Sequence, residues 1–98
     1  MHISENYILR EIMGEYIVVP TGEEAMKFQG LVTLNETGAF LWKELQKSDL
    51  TKEELRDRLC EEYEVDEEMA DQDLDEFLEH IRKYEVVLQE DENEKGKQ

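Results

Sequence analysis

Ninety-eight residues and 11.7 kDa fit a single domain, at the small end of what folds unaided. Lys and Arg number 11 against 27 Asp and Glu, a net charge of −16 that repels phosphate backbones and anionic lipid and favours a basic partner. No apolar run approaches the ~20 residues that span a bilayer, and one cysteine, Cys60, excludes an internal disulfide and fits a reducing cytoplasm. The opening MHISENYILREIMGEY lacks a basic segment followed by an apolar one, so no secretory signal is expected there.

The acidity is uneven. Residues 1–60 carry 7 basic and 11 acidic side chains, net −4, and residues 61–98 carry 4 and 16, net −12. Between Glu61 and Glu79 lie eleven carboxylates and no Lys or Arg. Read blandly, this is a solubilising face; read functionally, it receives a cationic partner.

In chain order, Tyr7 to Met13 is rich in β-branched and aromatic residues and reads as a strand ending at Gly14. Tyr16 to Val19 follows closely enough to close a hairpin around Gly14-Glu15. Pro20 and Gly22 interrupt the pattern, and Met26 to Leu34 reads as a third strand in which Gly30 marks either a bulge or a close backbone approach. From Asn35 the period becomes helical. Asn35 is an N-cap, and Leu34, Gly38, Leu41, Trp42 and Leu45 form one face. Thr51 and Glu54 match a capping box opening a second helix with stripe Leu55, Leu59 and Tyr63. A third runs from near Asp66 to about Tyr84, with Met69 or Ala70, Leu74, Phe77, Leu78 and Ile81 on its apolar side. Val86 to Leu88 is a short exit strand or extended segment, and residues 89–98 form a charged tail expected to be disordered. The expectation is a small α+β, winged-helix-like domain over residues 1–88, three antiparallel strands preceding three helices.

Catalytic patterns are missing. There is no phosphate loop, no His pair at i and i+4 and no nucleophile elbow. Asp71, Asp73 and Asp75 open like a calcium loop, but Glu76 stands where glycine is needed and Arg82 where a bidentate Glu is needed. His2, His80 and Cys60 are too few and scattered for a zinc site. Cys60 beside an apolar stripe reads as a small hydrophobe rather than a nucleophile. The expectation is a non-enzyme with no metal and no cofactor.

The segment Leu34-Asn35-Glu36-Thr37-Gly38-Ala39-Phe40-Leu41-Trp42 is similar to the signature of the PQQ-synthesis protein D (PqqD) family, a strand ending in an LNxTG-type turn before a helix with an apolar-Trp pair. Thr51-Lys52-Glu53-Glu54-Leu55, the Glu61 to Asp66 junction and the final helix follow in the same order, so the resemblance spans about residues 7–88. It implies a recognition element for ribosomally made, post-translationally modified peptides (RiPPs). Such a module is a peptide chaperone: it binds the leader of a precursor peptide by β-strand addition and presents the core to a modifying enzyme, commonly a radical SAM enzyme, in PQQ or another pathway. Carried onto this sequence, the docking strand is Phe28, Gln29, Gly30, Leu31, Val32 and Thr33. The facing helix is Asp73 to Tyr84, with Asp73, Phe77, His80, Ile81 and Tyr84 as candidate cleft residues and Asp73, Asp75 and Glu76 as a possible acidic rim. For Phe77 and Ile81 a plain core role stays open. Two other classes also stay open, a winged-helix nucleic-acid-binding regulator, which the cation-free Glu61–Glu79 stretch disfavours, and an adaptor that binds only protein. A monomer or weak homodimer in the cytoplasm, with no membrane or nucleic-acid partner, completes the expectation.

Overall fold

The computed structural model describes residues 1–21 and 32–83, and the backbone of residues 88–89. Its elements run β1 (His2–Ile3), β2 (Tyr7–Ile12), β3 (Glu15–Pro20), β4 (Val32–Leu34), α1 (Glu36–Lys47), α2 (Lys52–Tyr63), α3 (Glu67–Arg82) and β5 (Leu88–Gln89). The α+β class holds, with a three-stranded antiparallel sheet in the order β2-β3-β4 ahead of three helices, to which a winged-helix description applies loosely. Of the expected third strand, residues 26–31 lie outside the described residues, as do Tyr84, residues 86–87 and residues 90–98. Two features differ from expectation. His2–Ile3 pairs antiparallel with Leu88–Gln89 as a second, two-stranded sheet, so the strand at the far end continues through Gln89.

The β2–β3 hairpin turns on two residues, Met13 and Gly14, both at positive φ (52° and 84°). This is the backbone that a two-residue connection needs to match strand twist, and Gly14 adopts it without a Cβ penalty. The turn therefore sits one residue earlier than the Gly14-Glu15 expected.

Local chemistry starts each helix. Asn35 Oδ1 accepts from Gly38 N at 2.7 Å, Asp66 Oδ1 accepts from Met69 N at 2.8 Å, and Thr51 and Glu54 form the reciprocal capping box. Helix α2 stops where Glu64 turns left-handed (φ 53°) and its N–H returns to the Cys60 carbonyl at 2.8 Å.

One core joins the layers. Tyr7, Val18 and Val32 from the inner sheet face meet Leu41, Trp42 and Leu45 of α1, Leu55 and Leu59 of α2, and Ala70, Leu74, Leu78 and Ile81 of α3. Trp42 is fully buried, and its indole N–H has no hydrogen-bond partner among the described residues. Ala70, rather than the exposed Met69, faces inward. Phe40 and Tyr63 meet edge to face at 5.7 Å and bring α1 against α2. Gln46 of α1 donates to the Tyr7 carbonyl at 2.8 Å, fixing α1 to the start of β2. Glu44 is the one charged side chain buried among the described residues. Arg58 at 2.6 Å and Lys47 at 3.2 Å neutralise it, and the Arg58 hydrogen bond is the main reason its carboxyl lies below the ordinary glutamate range. No helix among the described residues is long and apolar enough to cross a membrane.

Candidate functional site

Strand β4 pairs with β3 through Tyr16↔Leu34, Ile17↔Thr33 and Val18↔Val32. Which main-chain groups remain open follows from the hairpin. A two-residue loop closes on a hydrogen-bonded pair, here Ile12↔Glu15, and such pairs alternate along an antiparallel ladder. Glu15, Ile17 and Val19 therefore exchange bonds with β2. Tyr16 and Val18 turn to β4 and bond Leu34 and Val32. Pro20, which has no N–H, falls on the side away from β2, as this alternation requires. Thr33 is then left with both its N–H and its C=O pointing out of the sheet at the β4 edge. His80 of α3 meets that carbonyl, with Nε2 3.1 Å from the oxygen. A carbonyl only accepts, so this ring nitrogen carries the proton in the contact.

Between this edge, the first turn of α1 and the flank of α3 lies a groove of about 250 Å³, lined by Thr33, Leu34, Asn35, Thr37, Gly38, Asp73, Glu76, Phe77 and His80. Its shape follows from the turn at Leu34-Asn35. A Cβ built on Gly38 would come 3.1 Å from Asn35 Oδ1, 3.4 Å from Leu34 Cβ and 3.5 Å from Phe77 Cδ1. The missing side chain thus spares the cap first, and the approach of α1 to sheet and α3 second.

Helix periodicity sorts the expected cleft residues. At about 100° per residue, Asp73, Glu76 and His80 fall to one side of Phe77, while Ala70, Leu74, Leu78 and Ile81 fall to the other. Of the candidate residues, Asp73, Phe77 and His80 line the groove, with Thr33 opposite. Ile81 does not: it is wholly buried in the core, four residues beyond Phe77 and on the inward flank. Val32 is also core, its side chain on the inner sheet face and its main chain spent on β3. Asp75 leaves the rim as well, because it turns toward α2 and pairs with Lys52 at 2.6 Å. Phe28, Gln29, Gly30, Leu31 and Tyr84 lie outside the described residues. Leu34, Asn35, Thr37 and Gly38 were not expected as lining. Their signal was present, since the residues that cap α1 must also wall whatever opens beside the β4–α1 turn.

The groove has an apolar floor in Phe77 and Leu34, main-chain groups along one wall and two carboxylates on the other. No Lys or Arg among the described residues lines it. Among the described residues no group of three or more His, Cys, Asp or Glu could hold a metal ion. Elsewhere, burial and the nearby Glu67 carboxylate push the Cys60 thiol above its ordinary range, away from thiolate reactivity.

No curated protein matches this chain significantly. A solved structure, TbiB1 in complex with the TbiA(beta) leader peptide, superposes with a TM-score of 0.66 over 93% of this chain and 99% of that one, at 24% identity, which shows a shared fold. The sequence model for Coenzyme PQQ synthesis protein D (PqqD) matches residues 8–87, from β2 to the segment before β5. The chain belongs to the PqqD family.

Proposed function

We propose that this protein is a recognition element for the leader of a ribosomally made precursor peptide, bound as an added strand on β4 and held against α3. One observation carries the reading: the outward main chain of Thr33, its carbonyl met by His80, lies in the same place as the groove under Phe77. A strand needs both, since backbone bonds supply affinity and a pocket beside them selects side chains. Family membership supports it, as does the shared fold with a protein solved with a leader peptide.

In this reading the domain orders the leader and raises the effective concentration of the core peptide at a modifying enzyme. The bond-breaking chemistry belongs to that partner, a radical SAM enzyme in the commonest arrangement of the family, and the setting is cytoplasmic. Residues 1–88 are taken as the recognition unit, and Phe28 to Leu31 and Tyr84, which lie outside the described residues, remain candidates for leader contact.

Calorimetric titration with the leader of a short precursor encoded beside the gene tests this. Saturable one-to-one binding, micromolar or tighter (about −8 kcal/mol or better), is expected. Amide shift changes should centre on Thr33, Leu34 and Gly38. Absence of binding by demonstrably folded protein would overturn the reading in favour of an adaptor that contacts only the enzyme.

A further inference from the structure

Helix α3 treats its carboxylates in two ways. On the flank toward α2, Asp75 pairs with Lys52 at 2.6 Å and Asp71 lies 4.0 Å from Arg56. On the groove flank, Asp73 and Glu76 make no ion pair among the described residues. Cations are available one helix away and are spent where α3 meets α2. Asp73 is half-buried against the floor, so its charge is less screened than that of a fully exposed carboxylate.

The rest of the groove says what such charges would meet. At about 250 Å³ it is smaller than the ~300–1,000 Å³ of sites for drug-sized ligands, and suits one side chain of a bound strand. Phe77, buried but for the part that lines the groove, gives it an apolar floor against which the methylene stem of Lys or Arg can lie. The N-terminus of α1 would favour an anion, but Asn35 Oδ1 already takes the Gly38 N–H there. A turn further along α3, Arg82 and Lys83 line a neighbouring concavity with Asp75, Glu76 and Glu79, so the carboxylates there are largely offset by resident cations and pull less on a second basic side chain.

We propose that the groove selects a peptide strand bearing one Lys or Arg, seated on Phe77 between the Asp73 and Glu76 carboxylates. This rests on the peptide-binding reading above and adds the chemistry of its selectivity: one basic position rather than a polybasic segment.

The test is selection of a displayed library of random twelve-residue peptides on the immobilised full chain. Enrichment of Lys or Arg at a single position of the aligned winners, about fivefold or more over the library frequency, is expected. On the double variant Asp73→Lys/Glu76→Lys that preference should vanish or turn to Asp and Glu. Asp73→Asn/Glu76→Gln serves should the lysine variant misfold. A control with the same charge change away from the groove, Asp57→Lys/Glu62→Lys, should keep the wild-type preference, separating the pocket from the overall charge of −16. Winners without a basic position, or the same preference on the groove variants, would overturn this proposal while leaving peptide binding intact. Failure of the folded wild type to enrich any peptide would overturn both.

Discussion

The centre of the molecule and its β4 edge are built from adjacent residues to opposite ends. Under α1, Leu41, Trp42 and Leu45 are wholly buried on Val18 and Val32, and nearly every group faces carbon. One residue along β4, Thr33 turns its main chain outward, and the groove beside it is lined by polar groups, carboxylates and Phe77. The first region spends apolar area on stability. The second leaves the Thr33 N–H without a partner among the described residues, which costs stability and is useful only if something arrives to take it. Substitutions in the two regions should therefore separate into those that move unfolding and those that move binding.

The largest effect should come from Trp42→Ala, expected to destabilise by about 3–5 kcal/mol, a large share of the ~5–15 kcal/mol of an ordinary domain. Urea unfolding would show it as a fall in midpoint; a loss below about 1 kcal/mol would erase the contrast. Next is Glu44. Its folded pKa is depressed, so its contribution is fully present above the unfolded glutamate value and is lost as pH falls through the folded one. Glu44→Gln should cost about 1–2 kcal/mol at pH 7, discounted because Arg58 is partly exposed. The gap between variant and wild type should close in the acid range below the ordinary glutamate pKa, followed by thermal unfolding across pH.

Two smaller effects sharpen the comparison. Asn35→Ala and Thr51→Ala each remove an N-cap and should cost about 1 kcal/mol. Only Asn35 lines the groove, so only its loss should also change leader affinity in calorimetry. His80→Ala should move stability by less than about 0.5 kcal/mol. By freeing the Thr33 carbonyl for an incoming N–H, it should raise leader affinity by up to about fivefold. A loss of affinity instead would mean that the ring is part of the bound surface.

Much of this was legible from the sequence because its causes are local. Asn35, the Thr51–Glu54 box and Asp66 announce the helix starts within four residues, and the stripes of α1 and α3 repeat often enough to fix their inward faces. Pairing of His2–Ile3 with Leu88–Gln89 has no local cause, since two residues carry no periodicity and the partner lies at the far end of the chain. For Ile81 the core role, left open by the sequence, is the one the structure shows, for a finer reason. Residues three and four beyond Phe77 both share its face broadly, yet one full turn of 3.6 residues falls between them. His80 and Ile81 thus part to opposite flanks, toward Thr33 and toward the core. Asp75 could not be assigned without knowing that Lys52 stands opposite.

The β1–β5 pair has a consequence for how this unit can be joined to others. With His2 opposite Gln89, the chain enters and leaves the domain side by side, about 5 Å apart as neighbouring strands require. A unit whose two ends meet can be spliced into a loop of another protein, at the cost of the Met1 ammonium's ion pair with Asp49 at 2.7 Å, which a peptide N–H would replace. It can equally be cut at its hairpin tip and rejoined through its ends. Met13, 97% exposed at the Met13-Gly14 turn, is the natural place for that cut, on a hairpin that takes no part in the groove. The same small sheet that closes the domain makes it portable.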